Sequence, residues 1–252
     1  MKTSTEHALA KVPEVTLGFW LIKIAATTLG ETGGDAVSMS MNLGYLVGTA
    51  IFAAIFLAAV VAQVKAKDFH PFLYWTTIIA TTTVGTTLAD FADRSLGIGY
   101  AGGSSLLLAL LLGSLFVLHR TLGSVSVSTV SSPKAEAFYW LTIMFSQTLG
   151  TALGDWTADT AGLGYTGAAV VFGGLLALVV AAYYWTSVSR TLLFWAAFIL
   201  TRPLGAVVGD FLDKPVSAGG LALSRYSASA ALLTFIVVAI LLFRQRAART
   251  AH

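Results

Sequence analysis

No cysteine occurs anywhere in the 252 residues, so disulfides are excluded and no thiolate is present to ligate a soft metal. Histidine is scarce: His7, His70, His119 and His252 all fall in polar ends or short connections. Charge is scarce too. Asp, Glu, Lys and Arg make up 11% of the chain, where a soluble globular domain carries about 25%. So few charges cannot cover the surface of a soluble fold of this length, and the mean hydropathy is +0.80. There is no basic run with interleaved aromatics, which argues against nucleic acid as a partner. Nor is there a nucleotide-binding motif or a soluble segment to hold ATP. The polar N-terminus leads into an apolar run interrupted by Lys23, without a signal-peptide core and cleavage site, so it is expected to be retained.

What the chain has in quantity is apolar sequence, 56% of it, in runs near the roughly 20 residues a spanning helix needs. These runs repeat in register. Four segments begin with an aromatic pair: Phe19-Trp20, Tyr74-Trp75, Tyr139-Trp140 and Phe194-Trp195. Ten residues after each Trp stands Gly30, Gly85, Gly150 or Gly205, and five further on Asp35, Asp90, Asp155 or Asp210. A small residue precedes each aspartate, and nine residues after it comes Gly44, Gly99, Gly164 or Gly219. Tyrosine follows that glycine in the first three copies and Gly220 in the fourth. The aspartates are separated by 55, 65 and 55 residues, so the pattern reads as a duplicated pair joined by extra loop near 124–133. Each copy reads as one helix from near its Trp to near its Asp, a short loop, and a second helix.

The expectation is therefore an all-α fold: a polytopic membrane helical bundle, with eight transmembrane helices arranged as four parallel two-helix repeats. The repeats fall at approximately 15–64, 72–119, 137–186 and 190–243 within a single membrane domain, 1–252. With the N-terminus inside, ten Lys and Arg lie in inner segments (Lys2, Lys11, Lys65, Lys67, Arg120, Lys134, Arg190, Arg244, Arg246, Arg249). Only Arg94, Lys214 and Arg225 lie in outer loops, which places both termini in the cytoplasm by the positive-inside rule. Two helices per copy give all copies one orientation, so they are related by rotation about the membrane normal. Four such copies can ring a central axis, and a homo-oligomer is compatible with the same pattern.

The Trp–x9–Gly–x4–Asp–x8–Gly pattern resembles a bacterial membrane-protein family defined by a repeat of unknown function. That family has four tandem copies, each with two transmembrane regions and a prominent tryptophan. The resemblance runs from Phe19 to Phe243 and implies the architecture and a bacterial cytoplasmic (inner) membrane location. It implies no activity, cofactor or functional residue. The fourth copy departs most: Arg202-Pro203 stands where Thr27-Thr28 stands in the first, with Pro203 replacing Thr28, Thr83 and Thr148.

Chemistry is carried by the acidic residues at the ends of the first helices. Ionisable groups within a bilayer cost several kcal/mol and mark functional candidates. Glu31, Asp35, Asp90, Asp155, Asp159 and Asp210 are the expected metal ligands. Lys23, Thr28, Thr83, Asp93, Gln147, Thr148, Arg202 and Asp213 are the candidates for a pathway or for charge pairing. About 22 Å of helix separates each Trp from its Asp, which puts the carboxylates toward the outer interface. Oxygen ligands without thiols or intramembrane histidine point to a hard divalent cation. The plainer readings stand beside these. An Asp after Gly at a helix end also serves as a water-facing loop residue, transmembrane Thr and Ser bond their own backbone, and tryptophans anchor at interfaces. Lys23 could snorkel, pair with a carboxylate, or compete with a transported cation.

The function expected is secondary transport of a divalent metal cation, Mn²⁺ or Mg²⁺, with proton-coupled export as one form, and with no enzymatic activity and no cofactor. Alternatives are a carrier of a small organic or anionic solute using Lys23 and Arg202, a non-transport scaffold or sensor, and an intramembrane aspartyl enzyme. The last requires a Gly-x-Gly-Asp tetrapeptide, and Thr32–Asp35, Thr87–Asp90, Ala152–Asp155 and Val207–Asp210 all lack it.

Overall fold

A computed structural model of the chain describes residues 11–95, 99–123 and 133–248. The linker at 124–132, and Lys2, His7, Arg249 and His252, lie outside the described residues. Eight long helices are present among those described: α1 (Leu17–Asp35), α2 (Tyr45–Lys65), α3 (Pro71–Asp90), α4 (Gly99–Leu122), α5 (Pro133–Asp155), α6 (Gly164–Trp185), α7 (Arg190–Asp213) and α8 (Arg225–Leu242). α3 and α5 open on proline, whose missing N–H costs nothing in a first turn. α1 and α7 open under hydroxyl caps, Thr16 accepting from the Phe19 N–H and Ser189 from that of Leu192. α8 starts six residues later than the repeat pattern predicts, because Val216–Ala218 form a 3₁₀ turn and the chain then folds back on the end of α7, the Leu221 and Leu223 N–H groups donating to the Phe211 and Leu212 carbonyls.

The four odd-numbered helices form a closed inner ring in which α1 packs on α3, α3 on α5, α5 on α7, and α7 on α1. The even-numbered helices surround it with a shifted partnership. Each packs chiefly on the first helix of the next repeat: α2 on α3, α4 on α5, α6 on α7, and α8 back on α1. No repeat is therefore a self-contained hairpin, and the last closes onto the first.

Among the described residues, five helices are long and apolar enough on their own to cross a membrane: α2, α4, α6, α7 and α8. The others fall short for a structural reason. α1, α3 and α5 carry buried hydroxyls and carboxylates that face protein in the ring, where polar groups can be satisfied away from lipid. The outer helices present Leu57, Phe116, Val170, Leu178 and Leu241 outward, as a lipid-facing perimeter requires.

Two features of the repeated signature explain ring closure. The aromatic residue before each Trp stacks on the Trp of the next copy: Phe19 on Trp75, Tyr74 on Trp140, Tyr139 on Trp195, and Phe194 on Trp20. Ring centroids lie 5.4, 5.7, 6.3 and 5.9 Å apart, within the range of favourable aromatic pairs. This corrects the reading of the tryptophans as interface anchors. Trp75, Trp140 and Trp195 are buried in a cyclic aromatic belt.

The glycine ten residues after each Trp brings neighbouring backbones together. A Cβ at Gly30, Gly85, Gly150 or Gly205 would fall 2.3 Å from Thr82, 2.9 Å from Gln147, 2.3 Å from Arg202 and 2.2 Å from Thr27 respectively. Those four neighbours occupy one repeat position, seven residues after Trp. The glycine nine residues after each aspartate has another cause: Gly44, Gly99, Gly164 and Gly219 all have positive φ, 64–85°.

At the aromatic end a strap crosses the bundle. Pro13 bridges Ala247, Glu14 N–H donates to the Arg246 carbonyl, and Lys11 binds Glu136 at 2.6 Å and the Val64 carbonyl. The segments just outside α1 and α8 thus meet on the same side of the molecule.

Candidate functional site

A stripe of residues four apart is buried along each inner helix. It comprises Phe19, Lys23, Thr27, Glu31 and Asp35 on α1, and Tyr74, Ile78, Thr82, Thr86 and Asp90 on α3. On α5 it is Tyr139, Ile143, Gln147, Thr151 and Asp155, and on α7 Phe194, Phe198, Arg202, Ala206 and Asp210. The i, i+4 rows of a helix lie on one face, and members at the same level meet across the ring. Five layers result.

The first layer is aromatic and shut, with the Tyr74 and Tyr139 hydroxyls hydrogen-bonded at 2.9 Å. Above it, the Lys23 ammonium lies 4.2 Å from the centre of the Phe198 ring and donates to Thr201 Oγ1 at 3.4 Å. Lys23 has no carboxylate partner among the described residues.

Arg202 fills the centre. Its guanidinium pairs with Glu31 at 3.1 Å, donates to the Thr86 and Thr151 hydroxyls, and reaches the Thr27 and Thr82 carbonyls. It therefore ties α7 to all three other inner helices, and it is fully buried. Gly150 makes room for its stem. Beside it the layer is polar but incompletely bonded: both amide atoms of Gln147, the Thr82 hydroxyl and Arg202 Nε have no hydrogen-bond partner among the described residues. Each such group pays desolvation without return.

The fifth layer gathers the repeated aspartates. Asp35, Asp90, Asp155 and Asp210 are 1–3% exposed, and basic side chains from the adjoining segments lie among them. Arg94 pairs with Asp90 at 3.1 Å and Asp155 at 3.5 Å. Lys214 pairs with Asp35 and, at 3.0 Å, with Asp210. Arg225 pairs with Asp213 at 3.1 Å and Asp35 at 3.7 Å. Oxygen atoms of Glu31, Asp35 and Asp90 lie within 4.8 Å of one another, as do those of Asp35, Asp210 and Asp213. Among the described residues, neither oxygen of Asp155 has a hydrogen-bond donor. Outside the helices, burial alone would lower the Lys214 pKa, but Asp210 and Asp35 outweigh it and raise the value well above the usual lysine range. Burial raises Asp93, with Arg94 opposing.

The path from helix to loop is itself unusual. α1, α3 and α5 each continue past their aspartate into one π-helical turn, at Ala36–Ser40, Phe91–Ser95 and Trp156–Thr160. π turns recur at functional sites because the extra residue re-aims neighbouring side chains. In the fourth copy α7 instead stays α-helical to Asp213 and delivers Lys214 to the carboxylates.

Of the expected ligands, Glu31, Asp35, Asp90, Asp155 and Asp210 converge, and Asp213 joins them. Asp159 does not, because its π turn leaves it exposed. Asp93 is half-buried beside the cluster. Thr28, Thr83 and Thr148 also fall away from the expected pathway. Each turns its hydroxyl to a carbonyl one turn back, on Ile24, Ile79 and Met144. The layers are built one position earlier, from Thr27, Thr82, Gln147 and Arg202. Thr86, Thr151 and the partner roles of Arg94, Lys214 and Arg225 are additions from the structure. Arg94 and Lys214 follow Asp90 and Asp210 by four residues, an ion-pair spacing on a continuous helix that was readable in the sequence.

Comparison with curated proteins and with solved structures returns no match. A family model does match, four times over, at residues 18–69, 73–124, 138–189 and 193–248. These matches cover nearly all of the ring and its surround, and the chain belongs to the family of the Repeat of Unknown Function (DUF347).

Proposed function

We propose that the chain is a secondary transporter of a divalent cation, Mn²⁺ or Mg²⁺. It would work in a bacterial cytoplasmic membrane with both termini in the cytoplasm. One observation carries the reading: carboxylates from all four repeats gather at one end of a closed ring, with a surplus of negative charge. Glu31, Asp35, Asp90, Asp155, Asp210 and Asp213 face Arg94, Arg202, Lys214 and Arg225. Six carboxylates against four basic groups leave the cluster formally acidic, an imbalance that a bound cation would offset. Carboxylate oxygens suit Mg²⁺ and Mn²⁺.

The basic groups fit this reading as tethered substitutes for cargo. A buried carboxylate that loses its only partner costs about 3–5 kcal/mol. Lys214 and Arg94 can re-pair with the aspartates when an ion departs, which keeps the ring intact through a cycle. Arg202 is the barrier beneath, an axial cation that repels a passing ion until it swings from Thr86 and Thr151. The aromatic layer closes the other end. The membrane potential favours cation entry by about 2.3 kcal/mol per charge per 100 mV, so export requires coupling, and proton exchange is the expected form. The cytoplasmic placement of the termini rests on the charge bias of the connections and on the strap that joins both end segments on one side.

The test is Mn²⁺ and Mg²⁺ flux into proteoliposomes, with and without a pH gradient. Asp155→Asn and Asp35→Asn should cut flux by about tenfold or more, as loss of roughly 1.4 kcal/mol or more of ion binding would. An organic-solute flux without any divalent flux would overturn the reading. One observation favours a second reading, a carrier of small organic anions: Lys23 is a buried ammonium without a carboxylate partner among the described residues. Under that reading Lys23→Gln abolishes anion binding, whereas cation transport survives the substitution if the first is correct.

A further inference from the structure

A cavity of about 570 Å³ opens on the perimeter of the bundle, away from the carboxylate layer. It lies where α6, packed on α7, and α8, packed on α1, leave the outward seam between α1 and α7 uncovered. Trp20 and Ile24 form one wall, Val180 another, and Leu193 and Ala197 the floor. Its polar groups sit apart from this apolar middle, with Arg190 and Tyr183 toward the aromatic end and Thr201 further along α7. In a bilayer this cleft faces hydrocarbon. Water gains nothing in an apolar site without two to four polar partners, and an empty cleft forfeits dispersion contacts along its whole lining. An acyl chain meets both conditions.

Charge identifies the other end of the occupant. Arg190 is exposed, its guanidinium lies 4.2 Å from the Tyr183 ring centre, and it has no carboxylate partner among the described residues. It is also the first residue of the 24-residue helix α7, whose amino end carries partial positive charge from unpaired N–H groups. A basic group at the rim of an intramembrane groove is the arrangement that holds anionic lipid headgroups.

We propose that this groove is a binding site for an anionic phospholipid, with one acyl chain lying between α1, α6 and α7 and its phosphate on Arg190. The lipid completes the perimeter, bracing α6 against α1 where the protein makes no extensive contact of its own. The inner end of the groove reaches Thr201, the residue that holds Lys23. The chain end therefore seals the side of the ring beside that buried ammonium.

The experiment is native mass spectrometry of the full chain after exchange into micelles containing phosphatidylglycerol or phosphatidylcholine of the same acyl length. One phosphatidylglycerol per chain should be retained preferentially. Arg190→Gln should reduce that preference roughly fivefold, in line with about 1 kcal/mol for one basic group near an anionic surface. Arg190→Lys should restore it. Val180→Trp, from an exposed position, should expel both lipids by filling the groove without disturbing helicity. Added inorganic phosphate should not displace the lipid. Equal retention of the two lipids, unchanged preference in Arg190→Gln, displacement by free phosphate, or undiminished retention in Val180→Trp would each overturn the proposal.

Discussion

Gly85 and Arg202 show how a single side chain sets the register of the ring. The nearest atom to a Cβ at Gly85 is the backbone carbonyl carbon of Gln147, 2.9 Å away, and backbone cannot rotate aside. Gly85→Ala should therefore lower stability by about 1–3 kcal/mol through overpacking. Gly113→Ala, in α4 with nothing within 4 Å, should be neutral or gain about 0.5–1 kcal/mol from helix propensity. Thermal melting in detergent distinguishes the pair. For Arg202 the expected loss is larger. Arg202→Met leaves Glu31 buried without its partner, a penalty of about 3–5 kcal/mol, and Glu31→Gln in the same chain should recover most of it. If the double variant is no more stable than the single, the pair is not the source of the loss.

At the scale of helices, the shifted partnership means that no hairpin owns its interface. α3 packs on α5 and α7 on α1 within the ring, and α4 packs on α5 and α8 on α1 outside it, so four extensive interfaces join the halves of the chain. The first half, 1–123, and the second, 133–252, should each be unstable alone and co-purify when expressed together. Two stable, non-interacting halves would show that the inner ring does not close as described. The aromatic belt belongs to this scale as well. Trp140→Ala removes both a buried ring and its stack on Tyr74, and a loss of about 3–5 kcal/mol is expected for a buried Trp, whereas an interface anchor would lose far less. The melting temperature decides between them.

For the whole molecule the absence of cysteine is an experimental advantage. Ser217, exposed near the carboxylate end, and Lys67, exposed beyond α2 near the aromatic end, can each be replaced by a single cysteine. With the termini cytoplasmic, a membrane-impermeant maleimide should label Ser217→Cys in intact cells and Lys67→Cys only after permeabilisation. The reverse pattern would invert the direction assigned to the carboxylate mouth.

Much of this arrangement was written in local sequence. Aromatic-Trp, Gly, Asp and Gly recur at fixed spacing, and each has a local or nearest-neighbour cause: stacking, close approach, helix end and positive φ. Composition excluded a water-soluble surface, and the repeat itself required like-oriented units. The choice between adjacent positions was not legible. Thr27 and Thr28 are chemically alike, but one contacts the next helix at Gly205 and the other bonds its own backbone. That difference depends on how α7 is rotated and set against α1, which only the packed ring fixes. For the same reason composition showed twelve acidic and fifteen basic residues without showing which would meet. Bringing Lys214 to Asp35, 179 positions away, and Arg202 to the centre of four helices is a decision of tertiary structure, because burial makes each such charge tolerable only where a distant segment supplies its partner.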